Sequence, residues 1–245
     1  MSDRFYLDPG VSKLDGDLAV LGGDEAHHFS RVMRGKVGDT ITLFDGIGLS
    51  RHGTVEAVSK NTVSVRILET LQDTIESPLR LTVATALPKG DRQRFLVEKL
   101  AELGVARLVP LRLERSVARA DEKTTAKFRR YVIEAAKQCG RNVLMEVAEE
   151  MSLAETNTLF GDEFSKLILH PVSLGEVGQT TPKKFLAAGM PEKIVMLAGP
   201  EGSFMDREVD DALRFGFKPI ELGKRILRTE TACIAAASLL LTYAG

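Results

Sequence analysis

Ile194-Val195-Met196-Leu197-Ala198-Gly199-Pro200-Glu201-Gly202-Ser203-Phe204 opens as an apolar run of strand length and closes in a turn. Met205, Val209, Ala212 and Leu213 follow at helical spacing, so a strand passes through a tight loop into a helix. Gly199 and Gly202 permit backbone angles and close approaches that a Cβ forbids, and Pro200 stiffens the turn. Ser203 and Asp206, three residues apart, fit a helix N-terminal cap. The plan then recurs: residues 218–222 read as a strand, Gly223 opens a loop, and residues 231–243 read as an uncharged helix. In an open α/β sheet such loops gather beyond the carboxyl ends of the strands, where ligands bind. Two of them close together in sequence predict one pocket.

Working upstream, strand-like and helical patterns alternate, which argues an α/β layer fold. Residues 81–87, 105–111, 167–170 and 194–198 read as strands. Residues 91–103 form a helix with Leu96, Leu100 and Leu103 on one face, stopped at Gly104. Phe128, Val132, Ala135 and Cys139 mark a second, ending at Gly140. The first seventy residues look different: strands at 40–44, 53–58 and 62–68, a turn at Lys60-Asn61, and a short helix at 24–33 with Phe29, Val32 and Met33 turned inward. That pattern suggests a small β-barrel, with the polar stretch 71–78 as linker.

A chain of 245 residues can hold one large or two modest domains, and 44% hydrophobic residues is the content of a folded protein. Cys139 and Cys233 lie far apart, which argues against a disulfide framework and for a reducing, cytoplasmic setting. No secretory pattern opens the chain, and the apolar last helix is too short to span a bilayer, which needs about 20 apolar residues. The net charge of −1 conceals an uneven distribution. Residues 85–141 carry 14 Lys and Arg against 7 Asp and Glu, net +7, while residues 1–75 are net −3 and 142–245 net −5. A polyanion could bind that middle field by displacing counterions; a solvated helix face is the other reading.

No Gly-x-Gly-x-x-Gly or Walker A sequence occurs, and four histidines with two cysteines form no metal-ligand spacing, so no metal is expected. His27 and His28 are adjacent and point apart in any regular element, which suits a structural or RNA-contacting role.

Both loops resemble the cofactor loops of the trefoil-knotted SPOUT RNA methyltransferases, and their wording is close to the bacterial 16S rRNA uracil-N3 branch. The likeness runs through Ala26-His27-His28, Val32-Met33-Arg34, Gly38-Asp39, Leu43-Phe44-Asp45-Gly46, Pro88-Lys89-Gly90-Asp91, Glu102-Leu103-Gly104-Val105, residues 134–141, His170-Pro171, Gly199-Pro200-Glu201-Gly202 and residues 222–232. Ser203 stands where the family often has a further Gly, and Met33 where Leu is common. The resemblance implies an α/β fold: a PUA-like, RNA-engaging β-barrel over residues 1–72, then a SPOUT domain over 73–245 with a C-terminal knot that periodicity cannot reveal. It implies S-adenosylmethionine, held by Leu169, His170, Pro171, Leu197, Gly199, Pro200, Glu201, Gly202, Leu222, Gly223, Ile226, Leu227, Arg228, Thr231 and Ala232.

The acceptor implied is N3 of a uridine in 16S rRNA of the small ribosomal subunit. That imide must lose a proton, and its charge spreads to O2 and O4. Arg228 is the first candidate to stabilise that charge, and Glu201 and Glu230 are candidate bases, although Glu201 could equally order its loop and Glu230 cap the last helix. Because N3 lies on the pairing edge, the base must be unpaired or flipped. Arg31 and Arg34 in the barrel, and Arg92, Arg94, Arg112, Arg115, Arg129, Arg130 and Arg141 in the basic segment, are the candidate RNA contacts. The family also implies a homodimer with substrate bound across it, and the last helix has no broad polar face to leave exposed. A noncatalytic ribosome-assembly factor, another α/β enzyme using a nucleotide-like molecule, and a methyltransferase acting on another RNA are the alternatives.

Overall fold

A computed structural model describes residues 3–72, 75–170, 180–189 and 191–244. The chain divides into two compact units, one of Met1–Glu76 with Ile133–Leu144, the other of Ser77–Val132 with Met145–Gly245.

In the first unit the strands are β1 (Arg4–Tyr6), β2 (Lys13–Asp15), β3 (Leu18–Leu21), β4 (Thr40–Phe44), β5 (Ser50–Val58) and β6 (Val63–Leu71), with helix α1 (Gly23–His27) between β3 and β4. Among the described residues they form one sheet in the order β1-β4-β5-β6-β3-β2, antiparallel except for the β1–β4 pair. The two outer strands do not pair with each other, so the sheet is a half-barrel. Phe5, Ala19, Leu21, Phe29, Ile41, Leu43, Val55, Val63 and Val65 fill its core, as the period-two alternation of a one-sided sheet requires. Gly53 sits where β5 shifts register, and a Cβ there would meet the Arg66 carbonyl oxygen at 2.6 Å. The helix expected at 24–33 ends early: after α1 the chain widens into a π turn at His28–Val32. The extra residue in that turn rotates Val32 outward, to 52% exposure, while Phe29 stays buried.

The first unit also receives the end of α3 (Glu122–Cys139) and the residues that follow, with α2 (Arg92–Glu102) preceding α3 in the chain. There Lys137 donates to both oxygens of Glu25 at 3.0 and 3.1 Å, and Arg141 makes a two-pronged bond to Glu76 at 2.9 and 2.6 Å. Burial is the leading influence on the Glu25 carboxyl and raises its pKa above the ordinary value, against the pull of Lys137.

The second unit is a parallel sheet: β7 (Arg80–Thr85), β8 (Arg107–Arg112), β9 (Glu146–Val147), β10 (Met151–Ser152), β11 (Ser165–Leu169), β12 (Lys193–Ala198) and β13 (Lys218–Ile220). Its order is β10-β8-β7-β12-β11-β13, with β9 also on β8. The central strands are buried along nearly their whole length, the reading expected when both faces are covered. On one face Val109, Leu111, Ile168, Val195 and Leu197 meet Phe204, Val209, Ala212 and Phe217. The other helices are α4 (Leu153–Leu159), opened by a Ser152–Glu155 capping box, α5 (Pro182–Ala187), α6 (Asp206–Arg214) and α7 (Thr229–Thr242).

From the edge strand β13 the chain turns back across the sheet end, and α7 packs on α2, β7 and β12. This return is the connection that the family resemblance expects to be threaded. Cys233 of α7 is buried with its Sγ 3.5 Å from Thr85 Oγ1 at the end of β7, and burial raises the thiol pKa to about 12. No helix among the described residues is long and apolar enough to cross a membrane.

Candidate functional site

β12, β11 and β13 are neighbours, and at their carboxyl ends the loops that follow β12 and β13 meet Leu169 and His170 at the end of β11. Ala198, the last residue of β12, pairs with Leu169, and Leu169 pairs with Ile220. The loops enclose a cavity of about 320 Å³ lined by Leu169, His170, Ala198, Gly199, Pro200, Glu201, Gly202, Ser203, Phe204, Ile220, Glu221, Leu222, Gly223, Arg225, Ile226, Leu227, Thr229 and Ala232.

The first loop is a turn closed by Ser203 N–H donating to Pro200 O at 2.9 Å. Ser203 itself sits at φ +63°, the left-handed region where glycine costs least. Having spent its conformation on the turn, Ser203 does not cap the helix. The cap belongs to Met205 instead, whose N–H donates to Glu208 Oε2 at 2.8 Å, and the other oxygen of Glu208 accepts from Glu114 N–H at 2.8 Å. Gly199 is required by contact, since a Cβ there would lie 2.8 Å from the Phe204 ring. That ring is buried and stands edge-on to His170, centroids 6.3 Å apart. Arg115 Nη1 donates to Gly202 O at 2.6 Å and steadies the loop from outside.

In the second loop Gly223 has φ +113° with nothing within 4 Å of an added Cβ, so conformation rather than crowding selects glycine. Ile226 stands 88% exposed at the cavity lip. Thr229 Oγ1 donates to Gly199 O at 3.0 Å, joining the start of α7 to the first loop.

Of the residues singled out as cofactor contacts, Leu169, His170, Gly199, Pro200, Glu201, Gly202, Leu222, Gly223, Ile226, Leu227 and Ala232 line this cavity. Leu197 does not; it lies fully buried in the core beneath. Arg228, the N-cap of α7, and Thr231 are exposed and off the lining. Pro171 lies outside the described residues. Ala198, Ser203, Phe204, Ile220, Glu221, Arg225 and Thr229 join the lining without being singled out by motif spacing. Phe204, next after the glycine turn, is the one the sequence could have pointed to, as an aromatic beside a backbone loop.

The candidate carboxylates are not alike. Glu201 is exposed and ion-paired to Arg92 Nη1. Glu230 is 5% exposed and off the lining; one oxygen is 3.9 Å from the same Arg92, and its buried Oε2 has no hydrogen-bond partner among the described residues. Arg92 therefore stands between the first loop and α7. His170 carries a buried Nδ1 with no partner among the described residues. Burial lowers its pKa below the usual 6.5, with Asp206 pulling the other way.

The candidate RNA-binding arginines have different surroundings. Arg31 and Arg34 are exposed, Arg34 at φ +55°. Arg94 is held by Glu98 at 2.7 Å and lies over Tyr131, and Arg112 is 3.4 Å from Glu155. Arg129 and Arg130 are exposed on α3. Arg141 leaves the set: it is 3% exposed and bound to Glu76, a place that no phosphate reaches.

Residues 75–241 match the family described as RNA methyltransferase domain, and residues 21–68 the one described as RNA methyltransferase PUA domain. Ribosomal RNA small subunit methyltransferase E of Bacillus subtilis is 31% identical over 222 residues, 88% of this chain and 86% of its own length. A Neisseria gonorrhoeae structure of the same description, bound to S-adenosyl methionine, is 33% identical with a TM-score of 0.85, covering 98% of this chain and 96% of its own. A Legionella pneumophila structure described as a methyltransferase with bound SAM is 34% identical with a TM-score of 0.86, covering 99% and 98%.

Proposed function

The chain belongs to the ribosomal RNA small subunit methyltransferase E family of RNA methyltransferases, and from that premise we propose that it methylates N3 of a uridine in 16S rRNA, using S-adenosylmethionine, in the cytoplasm. The observation that carries the reading is the convergence of the two glycine loops after β12 and β13, with the end of β11 at Leu169 and His170, on one cavity. The residues present fit the cofactor. The cavity is of ligand size, with Leu222, Leu227, Ile220 and Phe204 as apolar walls, glycine backbone at Gly199, Gly202 and Gly223, and the unpartnered Nδ1 of His170 left for a polar group.

When bound, S-adenosylmethionine supplies a methyl group activated by its sulfonium. The chain's own work is alignment and charge. The two glycine loops would fix the donor, while Arg228, exposed at the start of α7, would meet the negative charge developing on O2 and O4 of the uracil. Arg92 would hold Glu201 in its ion pair, which favours an ordering role for that carboxylate. Glu230, off the cavity lining, is the weaker candidate base. Arg31 and Arg34 would engage RNA from the half-barrel. A second copy would cover the apolar exposure at Leu239 of α7 and at Tyr243, which follows it, and complete a homodimer.

An N3 methyl blocks base pairing, so reverse transcription of 16S rRNA from cells lacking and regaining the gene tests the assignment. A strong stop should appear only with the protein. An identical stop pattern in both strains would overturn it, and calorimetry would then separate a methyltransferase of another RNA, which binds S-adenosylmethionine, from an assembly factor, which does not.

A further inference from the structure

At the opposite end of the second unit's sheet, where β11 and β13 begin, lies another cavity of about 230 Å³, lined by Asp162, Phe164, Ser165, Lys166, Phe185, Phe215, Gly216 and Lys218. It shares no residue with the cofactor cavity. Its cations are placed differently. Lys166 is half-buried, its Nζ fixed by donation to Asn157 Oδ1 at 2.8 Å and Phe215 O at 3.3 Å, which leaves one ammonium proton unassigned. Lys218 is exposed and makes no ion pair among the described residues. Lys193, which opens the adjacent β12, rests its ammonium 5.5 Å over the Phe164 ring and likewise makes no ion pair among them. Three phenyl rings stand beside these charges, and Asp162 offers an exposed carboxylate with no partner among the described residues.

We propose that this second cavity is a nucleotide-binding site, taking the phosphate at Lys218 and Lys166 and the base against Phe185, Phe164 and Phe215. Each component has a reason. Ammonium groups recognise phosphate as point charges, aromatic faces stack any base, and a carboxylate accepts from ribose hydroxyls as acidic residues do in dinucleotide sites. A bare anion would need no rings, and a purely apolar ligand would meet charged Lys166, Lys218 and Asp162. The nucleotide has two sources, a free mononucleotide or a residue of an RNA strand, with the same chemistry at the site.

The test uses the full chain with S-adenosylhomocysteine at saturation to close the other cavity. Equilibrium dialysis with radiolabelled UMP should show a component of binding, apart from any at the uridine acceptor position that S-adenosylhomocysteine leaves open, that weakens by about tenfold or more in Lys218→Glu and in Phe185→Ala, with S-adenosylhomocysteine binding unchanged in both as the control for folding. In parallel, a 5-iodouridine RNA 12-mer is cross-linked and the adduct mapped. Adducts at Phe164, Phe185 or Phe215 with weak UMP binding identify RNA as the source; UMP binding without adducts identifies the free nucleotide. UMP binding that neither variant weakens, inorganic phosphate competing as well as UMP, or neither binding nor adducts would overturn the proposal. None of these readouts depends on methylation, so failure here leaves the proposed activity standing.

Discussion

Alanine at Gly199 would place its Cβ 2.8 Å from Cδ2 and 2.9 Å from Cε2 of Phe204. Gly199 is not among the positive-φ residues, so the penalty is contact rather than backbone strain. The ring has two ways to give. It can press into the core it shares with Val209, Ala212 and Leu197, where overpacking costs about 1–3 kcal/mol; at 2–4 °C per kcal/mol for a domain of this size, Tm would fall by about 2–12 °C. Alternatively it can swing into the cavity it lines, beside His170, and the same energy then appears as a cofactor affinity weakened by about 5- to 150-fold. Thermal melting and calorimetry with S-adenosylmethionine on one preparation read both routes. Phe204→Leu removes the ring edge, so adding it to Gly199→Ala should recover most of whichever loss appears, a coupling that a double-mutant cycle isolates. Unchanged Tm and affinity in Gly199→Ala, or a loss that Phe204→Leu does not relieve, would refute the contact argument.

Gly223→Val meets open space but needs φ near +113°, a strain of about 1–3 kcal/mol for a β-branched residue; calorimetry should show lost cofactor binding, and circular dichroism an intact fold. Arg92→Ala removes the cation shared by Glu201 and Glu230 and leaves a buried carboxylate without it, at a cost of about 1–3 kcal/mol; urea unfolding should show the loss, and Glu230→Gln in the same chain should return part of it. For His170, burial depresses the folded pKa below 6.5. The folded state then binds fewer protons than the unfolded, so its contribution is present above pH 6.5 and is lost as pH falls below it toward the folded pKa; His170→Gln should flatten that limb of a stability–pH profile.

Both loops that line the cavity were legible as strand-to-helix turns because each is announced by an apolar run followed by glycine, a signal carried within ten residues. What escaped depends on geometry that spacing does not carry. Ser203 looked like a cap, but its left-handed backbone belongs to the turn, and the cap moved to Met205 and Glu208. Val32 kept helical spacing in sequence, yet the π turn rotated it into solvent. Arg141 counted toward a basic field, although Glu76, 65 residues away, holds it in the interior. Leu197 and Ala198 are adjacent in β12, and only the second reaches the cavity, because the sheet is covered on both faces and the first belongs to its core.

The return of α7 to β7 joins groups 148 residues apart, Cys233 and Thr85. Contacts of such range are slow to form, since the loop between them must close before they reward it. A chain with β7, β12 and β11 aligned but α7 undocked would possess the sheet without the Thr229 bond to Gly199 or the Ala232 wall, and so would lack the finished cavity. Small-molecule occupancy would thereby report on completed folding: a ligand of this cavity would recognise only the docked state and hold α7 in place by mass action, and adding S-adenosylmethionine should slow amide hydrogen exchange along that helix before it slows it anywhere in the half-barrel.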